Sequence, residues 1–146
     1  MAPITANIEI ARRPDDVFAY LDDLERHGEW QEQIVSAKKL VDGPTRVGTR
    51  VTERRRMGRR EQSMTYDVTE HDPPRTSAFH GIDGPSRVVG KVKLDPIGDS
   101  STRVSLVLDF EGHGVGKLLV PLARMQARKQ VPKNQQRLKE RLEAGA

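Results

Sequence analysis

Glu53 and Arg55 stand two residues apart in the stretch Arg50-Val-Thr-Glu-Arg-Arg-Arg-Met57, and Tyr66 follows in the next run. On a strand, residues two apart point to the same face. A carboxylate and a guanidinium on one buried face must neutralise each other or hold a polar ligand group. With a phenol beside them they could also do acid–base work. Glu53 and Tyr66 would then move protons while Arg55 holds an enolate or carboxylate. The competing reading is an ion pair on an exposed rim and a tyrosine that only packs.

Other chemistries lack their residues. Cysteine is absent, which removes disulfides, thiolate nucleophiles and cysteine metal sites. His27, His71, His80 and His113 fall on different elements without ligand spacing, so no metal is expected. There is no G-x-S-x-G elbow. Gly112-His-Gly-Val-Gly-Lys117 is one residue short of a phosphate loop and has Leu118 where Ser or Thr is needed. It reads as a flexible entry to a helix, with glycines that could gate a cavity. No cofactor is implied.

These side chains need a scaffold. The 146 residues suit a single domain, 1–146. Ile4, Ala6, Ile8 and Ile10 alternate with polar residues, which reads as a half-buried strand. Pro14, followed by Asp15 and Asp16, opens a short helix over 14–23. A second helical turn is expected around Trp30 and Gln33. Six strands follow: 34–41, 48–57, 60–71, 76–82, 87–94 and 102–111. Each break carries Gly, Pro, Asp or Ser. Residues 117–143 read as a long helix, with a kink or break near 128–132 caused by Pro132.

One helix cannot cover both faces of seven strands. The order therefore predicts an α+β fold: a curved seven-stranded antiparallel sheet wrapped around the C-terminal helix, with its outer face wet. Two short helices lie between strands 1 and 2. Alternation then names an inward set. It places Val51, Glu53, Arg55 and Met57 inside with Gln62, Met64, Tyr66 and Val68, and leaves Arg50, Arg54 and Arg56 outside. On 76–82 alternation leaves either Phe79 or His80 facing in, and Phe79 is the choice here; Val92, Leu106 and Phe110 follow. From the helix, Leu119, Leu122, Ala123, Gln126, Gln130 and Asn134 join them. Trp30 plugs or lines the mouth, or packs as core. A mostly apolar lining with sparse polar groups is the usual make-up of a small-molecule site.

Four segments carry a resemblance: IEIARRPDDVFAYLDDLERHGEW at 8–30, VGTRVTERRRMGRR at 47–60, YDVTEHDPPR at 66–75, and the closing LLVPLARM…RLKERLEAG. Together they resemble the START-like (SRPBCC) superfamily of polyketide cyclase/dehydrase type, with its Bet v 1-like helix-grip fold. Pro132 and the glutamines around it depart from the usual terminal helix. The resemblance implies an internal cavity for a small, largely hydrophobic, lipid- or polyketide-like molecule. It also implies an alternative, an aromatase/cyclase-type enzyme using Glu53, Arg55 and Tyr66. A scaffold of this kind fixes a cavity and no particular chemistry.

Charge raises one more class. The net charge is +4 with a pI near 9.6, which suits polyanions. Alternation splits the run RRRMGRR at 54–60 between two faces, and aromatics are only 4%, too few to stack bases. Nucleic acid is therefore not expected. A partner or anionic surface could still meet the Arg-rich hairpin 54–60. No apolar run is long enough for a transmembrane segment, and MAPITANIEIARR has no export pattern, so a cytoplasmic location is expected.

Overall fold

The computed structural model describes residues 3–146, apart from the side chain of Met57. The order is β1 (Ile4–Ile10), α1 (Pro14–Asp22), a 3₁₀ helix (Leu24–Glu29), β2 (Ile34–Lys39), β3 (Arg50–Met57), β4 (Arg60–Asp72) and β5 (Thr76–Gly81). There follow β6 (Ser86–Ile97), β7 (Ser101–Gly112), a second 3₁₀ helix (Gly114–Leu118) and α2 (Val120–Glu143). The strands form one antiparallel seven-stranded sheet in the order β1-β7-β6-β5-β4-β3-β2. This is the helix-grip arrangement expected from the sequence.

Local chemistry explains the elements. Pro14 sits in the first turn of α1, with Asp15 and Asp16 at the positive end of its dipole. Val17, Phe18 and Tyr20 bury the inner face of α1 against Ile10, Leu94, Val104, Leu138 and Leu142. Tyr20 donates to Glu29 at 2.9 Å, and Arg141 of α2 donates to the Tyr20 hydroxyl at 3.1 Å, tying α1, the first 3₁₀ helix and α2 together. On the inner sheet face Gly90 lets Phe79 lie across β6. A Cβ there would stand 2.5 Å from the Phe79 ring.

α2 packs mainly on β1 and β7. Its buried positions are Val120, Val131, Asn134, Gln135, Leu138 and Leu142. Three expectations change here. The helix starts at Val120 rather than Lys117, with Pro121 in its first turn. It runs without a break through Pro132, whose exposed position leaves the lost hydrogen bond to solvent. Leu122 and Gln126 do not face the core: both are exposed, Leu122 by 47%. At about 100° per residue, Leu122 lies half a turn away from Val131. Leu119 is exposed as well.

The two ends of the sheet differ. One end is closed by α1 and the β2–β3 connection, where Thr45 donates to the Asp22 carbonyl at 2.9 Å and His71 meets the Asp22 carboxylate at 2.9 Å. The other end gathers the β3–β4 turn, residues 82–85 and the second 3₁₀ helix. Ile82 and Thr65 bond across it, and His113 donates to the Pro85 carbonyl at 2.9 Å. Gly116 packs so close to Pro85 that a Cβ would lie 1.7 Å from its carbonyl oxygen. The glycine stretch expected to be a flexible entry is thus a seated 3₁₀ turn.

Candidate functional site

The alternation of β3 sets the site. Thr49, Val51 and Glu53 are buried and Arg55 is half-buried, while Arg50, Arg54 and Arg56 are exposed on the opposite face. Register then places Tyr66 opposite Val51 and Met64 opposite Glu53. Val68 opposite Phe79 extends the same face to β5. Phe79 therefore points in, at 5.5 Å from the Tyr66 ring, and His80 points out to Glu111. Gln62, expected inside with Met64, is exposed near the strand's start. The Met57 side chain lies outside the described residues.

Glu53 is 2% exposed. Arg55 Nε donates to its Oε2 at 2.9 Å, and Arg55 Nη2 donates to Gln31 Oε1 at 2.7 Å. The pair is therefore buried at its acidic end and not a rim contact. Burial, and then the Glu53 charge, push the Tyr66 hydroxyl well above the usual phenol range. Tyr66 accordingly keeps its proton at neutral pH.

His27, in the first 3₁₀ helix, lies within electrostatic reach of Glu53 and Arg55. Its Nε2 donates to the Leu21 carbonyl at 2.7 Å, and its ring meets Trp30 edge-on at 5.2 Å. Burial lowers its pKa, so the imidazole is neutral at pH 7. Trp30 packs against the cluster of Ile10, Phe18 and Leu138, yet its Nε1 is buried with no hydrogen-bond partner among the described residues. Gln33 Oε1 is buried and unpartnered in the same sense. An unmet buried donor is costly and uncommon.

Met64 and Phe79 pack against both the Tyr66–Val51 cluster and the Ile4–Val88–Leu108 cluster, which also takes in Leu106 and Phe110. Val92 packs with the Leu94–Val104 cluster. The structure thus gathers the expected inward residues of the sheet on one face and leaves Leu122 and Gln126 apart. Sequence reasoning missed His27 and Gln31 as members. The helical turn expected around Trp30 and Gln33 lies earlier, as the 3₁₀ helix Leu24–Glu29, which holds His27 and leaves Gln31 in the link to β2. Two depressions lie elsewhere. A groove of about 430 Å³ on the outer face includes Ala78, His80, Val89 and Val107, and a cleft of about 260 Å³ lies between β1 and α2. Neither opens onto Glu53, Arg55, Tyr66 or Trp30.

The sequence matches the model of the family described as polyketide cyclase / dehydrase and lipid transport over residues 1–144. The chain belongs to that family. Solved structures share its fold across nearly the whole length. A protein from Thermus thermophilus is 23% identical with a TM-score of 0.80, covering 99% of each chain. A START superfamily protein from Mycobacterium smegmatis is 15% identical with a TM-score of 0.81, covering 100% of each chain. The Zhui aromatase/cyclase from a Streptomyces species is 16% identical with a TM-score of 0.73, covering 92% of this chain and 87% of its own. No curated protein matches the sequence. At these identities the structural likeness to START-like and aromatase/cyclase proteins is one of fold. No helix is long and apolar enough to cross a membrane among the described residues.

Proposed function

We propose that the chain binds a small, largely hydrophobic molecule, lipid- or polyketide-like, between the inner sheet face and α2. Its polar end would meet Trp30 Nε1, Arg55 and Tyr66. The observation that carries this reading is the buried, unpartnered Trp30 Nε1, one residue from the Gln31 that bonds Arg55, whose partner Glu53 is buried on an otherwise apolar face. A ligand carbonyl or hydroxyl would satisfy that donor. The family's description, which names both polyketide chemistry and lipid transport, supports the same class of molecule.

An aromatase/cyclase reading is the second choice. Tyr66 beside Glu53 favours it, because a protonated phenol can donate to an enolising carbonyl. Against it, Arg55 already occupies the Glu53 carboxylate at 2.9 Å, so that carboxylate is not free to meet a substrate. The hairpin 54–60 is a weaker candidate for an anionic surface, since Arg54 and Arg56 share Glu61 and Arg50 pairs with Asp67.

The test is mass spectrometry on a denaturing organic extract of the purified protein. A stoichiometric apolar molecule, lost in the Arg55→Ala/Tyr66→Ala variant, is expected. An empty extract, with Trp30 fluorescence unmoved by fatty acids or aromatic polyketides, would overturn the reading. Turnover of a linear polyketide that Glu53→Gln abolishes while binding persists would favour the enzyme.

A further inference from the structure

Five large apolar side chains between Val115 and Met125 are exposed: Val115 by 77%, Leu118 by 83%, and Leu119, Leu122 and Met125 by nearly half. Single exposed leucines need no explanation, but a run of them on one short segment marks a contact surface. The same segment is acid-free. From Gly112 to Lys133 there is no Asp or Glu, and the cations are Lys117, Arg124, Arg128, Lys129 and Lys133. Arg124 is held by Asp109 at 2.8 Å, while the other four are exposed.

We propose that the second 3₁₀ helix and the first turns of α2 dock on an anionic lipid bilayer. Leu118 and Leu122 would enter the headgroup–acyl boundary, and Lys117, Arg128, Lys129 and Lys133 would meet the lipid charge. Two features favour a bilayer over an acidic protein. The apolar side chains stand exposed on a 3₁₀ turn and the first turns of a helix, and a bilayer needs no pocket matched to them. The exposed run is also flanked by four exposed cations with no acid between Gly112 and Lys133, the charge pattern that anionic headgroups attract. The turn is held in place for the task, because the contact between Gly116 and Pro85 fixes which way Val115 and Leu118 point.

The position of this surface gives the docking a purpose. Gly112 pairs with Ser86, so the 3₁₀ helix sits at the end of the sheet opposite α1, together with residues 82–85 and the β3–β4 turn. An apolar ligand could pass between bilayer and inner face there. That route rests on the proposed function, whereas the docking does not, and the two have separate readouts.

The test is flotation with vesicles of phosphatidylcholine alone and of an equal mixture with phosphatidylglycerol, at low and high salt. Binding to the mixed vesicles is expected to exceed that to neutral ones by at least about tenfold and to weaken with salt. Lys117→Glu/Lys129→Glu should cost about fivefold or more per charge reversed. Leu118→Ser/Leu122→Ser, which keeps every charge, should cost about tenfold or more. Circular dichroism melts of both variants should match the parent, since all four positions are exposed. Absence of binding, equal binding to neutral vesicles, or binding indifferent to the Leu→Ser changes would overturn the proposal. Equally tight capture by polyglutamate would overturn it in favour of an acidic protein.

Discussion

Arg55 donates to Glu53 from the same face of β3 at 2.9 Å, and only the acid of the pair is fully buried. The carboxylate has given up water, while the half-buried guanidinium keeps some solvent and reaches Gln31. This asymmetry makes the pair a hinge between the dry face and whatever approaches from outside. It also sets what mutation should cost.

Glu53→Gln removes the buried charge and leaves Arg55 half-buried without its partner. A loss of about 1–3 kcal/mol is expected in urea unfolding, below the full cost of a wholly buried pair because Arg55 keeps some solvent. Adding Arg55→Gln should recover part of that loss. Additive losses in the double variant would show that the two do not act as a pair.

Trp30→Phe separates packing from hydrogen bonding. The ring fills most of the same space, and the Nε1 it removes has no partner. Stability should fall by less than about 1.5 kcal/mol. Ligand retention should fall much further, read by the extracted amount. Unchanged retention would remove Trp30 Nε1 from the site.

His27 should give the stability a pH dependence. Burial lowers its folded pKa below the ordinary value of 6.5, so the unfolded chain binds the proton more readily. Stability from this group is complete above that value and is lost as pH falls through it toward the lower folded value. The urea midpoint at about pH 5 should lie below that at about pH 7.5, and His27→Gln should shrink the difference. An identical pH profile in the variant would assign the dependence to another group.

Gly90→Ala places a methyl 2.5 Å from the Phe79 ring. The ring must shift, and because it packs on Tyr66 the shift disturbs the face that carries the site. A cost of about 1–3 kcal/mol is expected. Phe79→Leu in the same chain should return part of it. A melting temperature unchanged by Gly90→Ala alone would mean the ring moves freely.

The parts legible in the sequence are those governed by a period of two. β3 and β4 each bury one face, so alternation alone placed Glu53 and Tyr66 together and sent Arg54 and Arg56 outward, whereas β5 is half-buried on both faces and alternation there does not choose between Phe79 and His80. The long helix was harder. It carries apolar residues on two faces near its start, and periodicity cannot say which stripe meets the sheet. Leu122 belongs to the stripe that stays in solvent, Val131 to the one that packs. His27 and Gln31 were illegible for another reason. Gln31 lies between the 3₁₀ helix and β2 and meets Arg55 of β3 from 24 residues away in sequence, a contact no local pattern announces. Pro121 did carry a signal for the start of α2, as a proline in a first helical turn often does.

The pairing of β1 with β7 has a consequence for how the chain is made. Ile4 lies beside Leu108, so the sheet's first strand waits for its last before it has a neighbour. Roughly a hundred residues must leave the ribosome before that edge can close, and α2 must follow before the inner face is covered. Until then β1 is an open edge and the apolar side of each hairpin is bare. Nascent chains truncated before β7 should therefore be sticky and quickly degraded, and the complete chain should acquire protection in one late step.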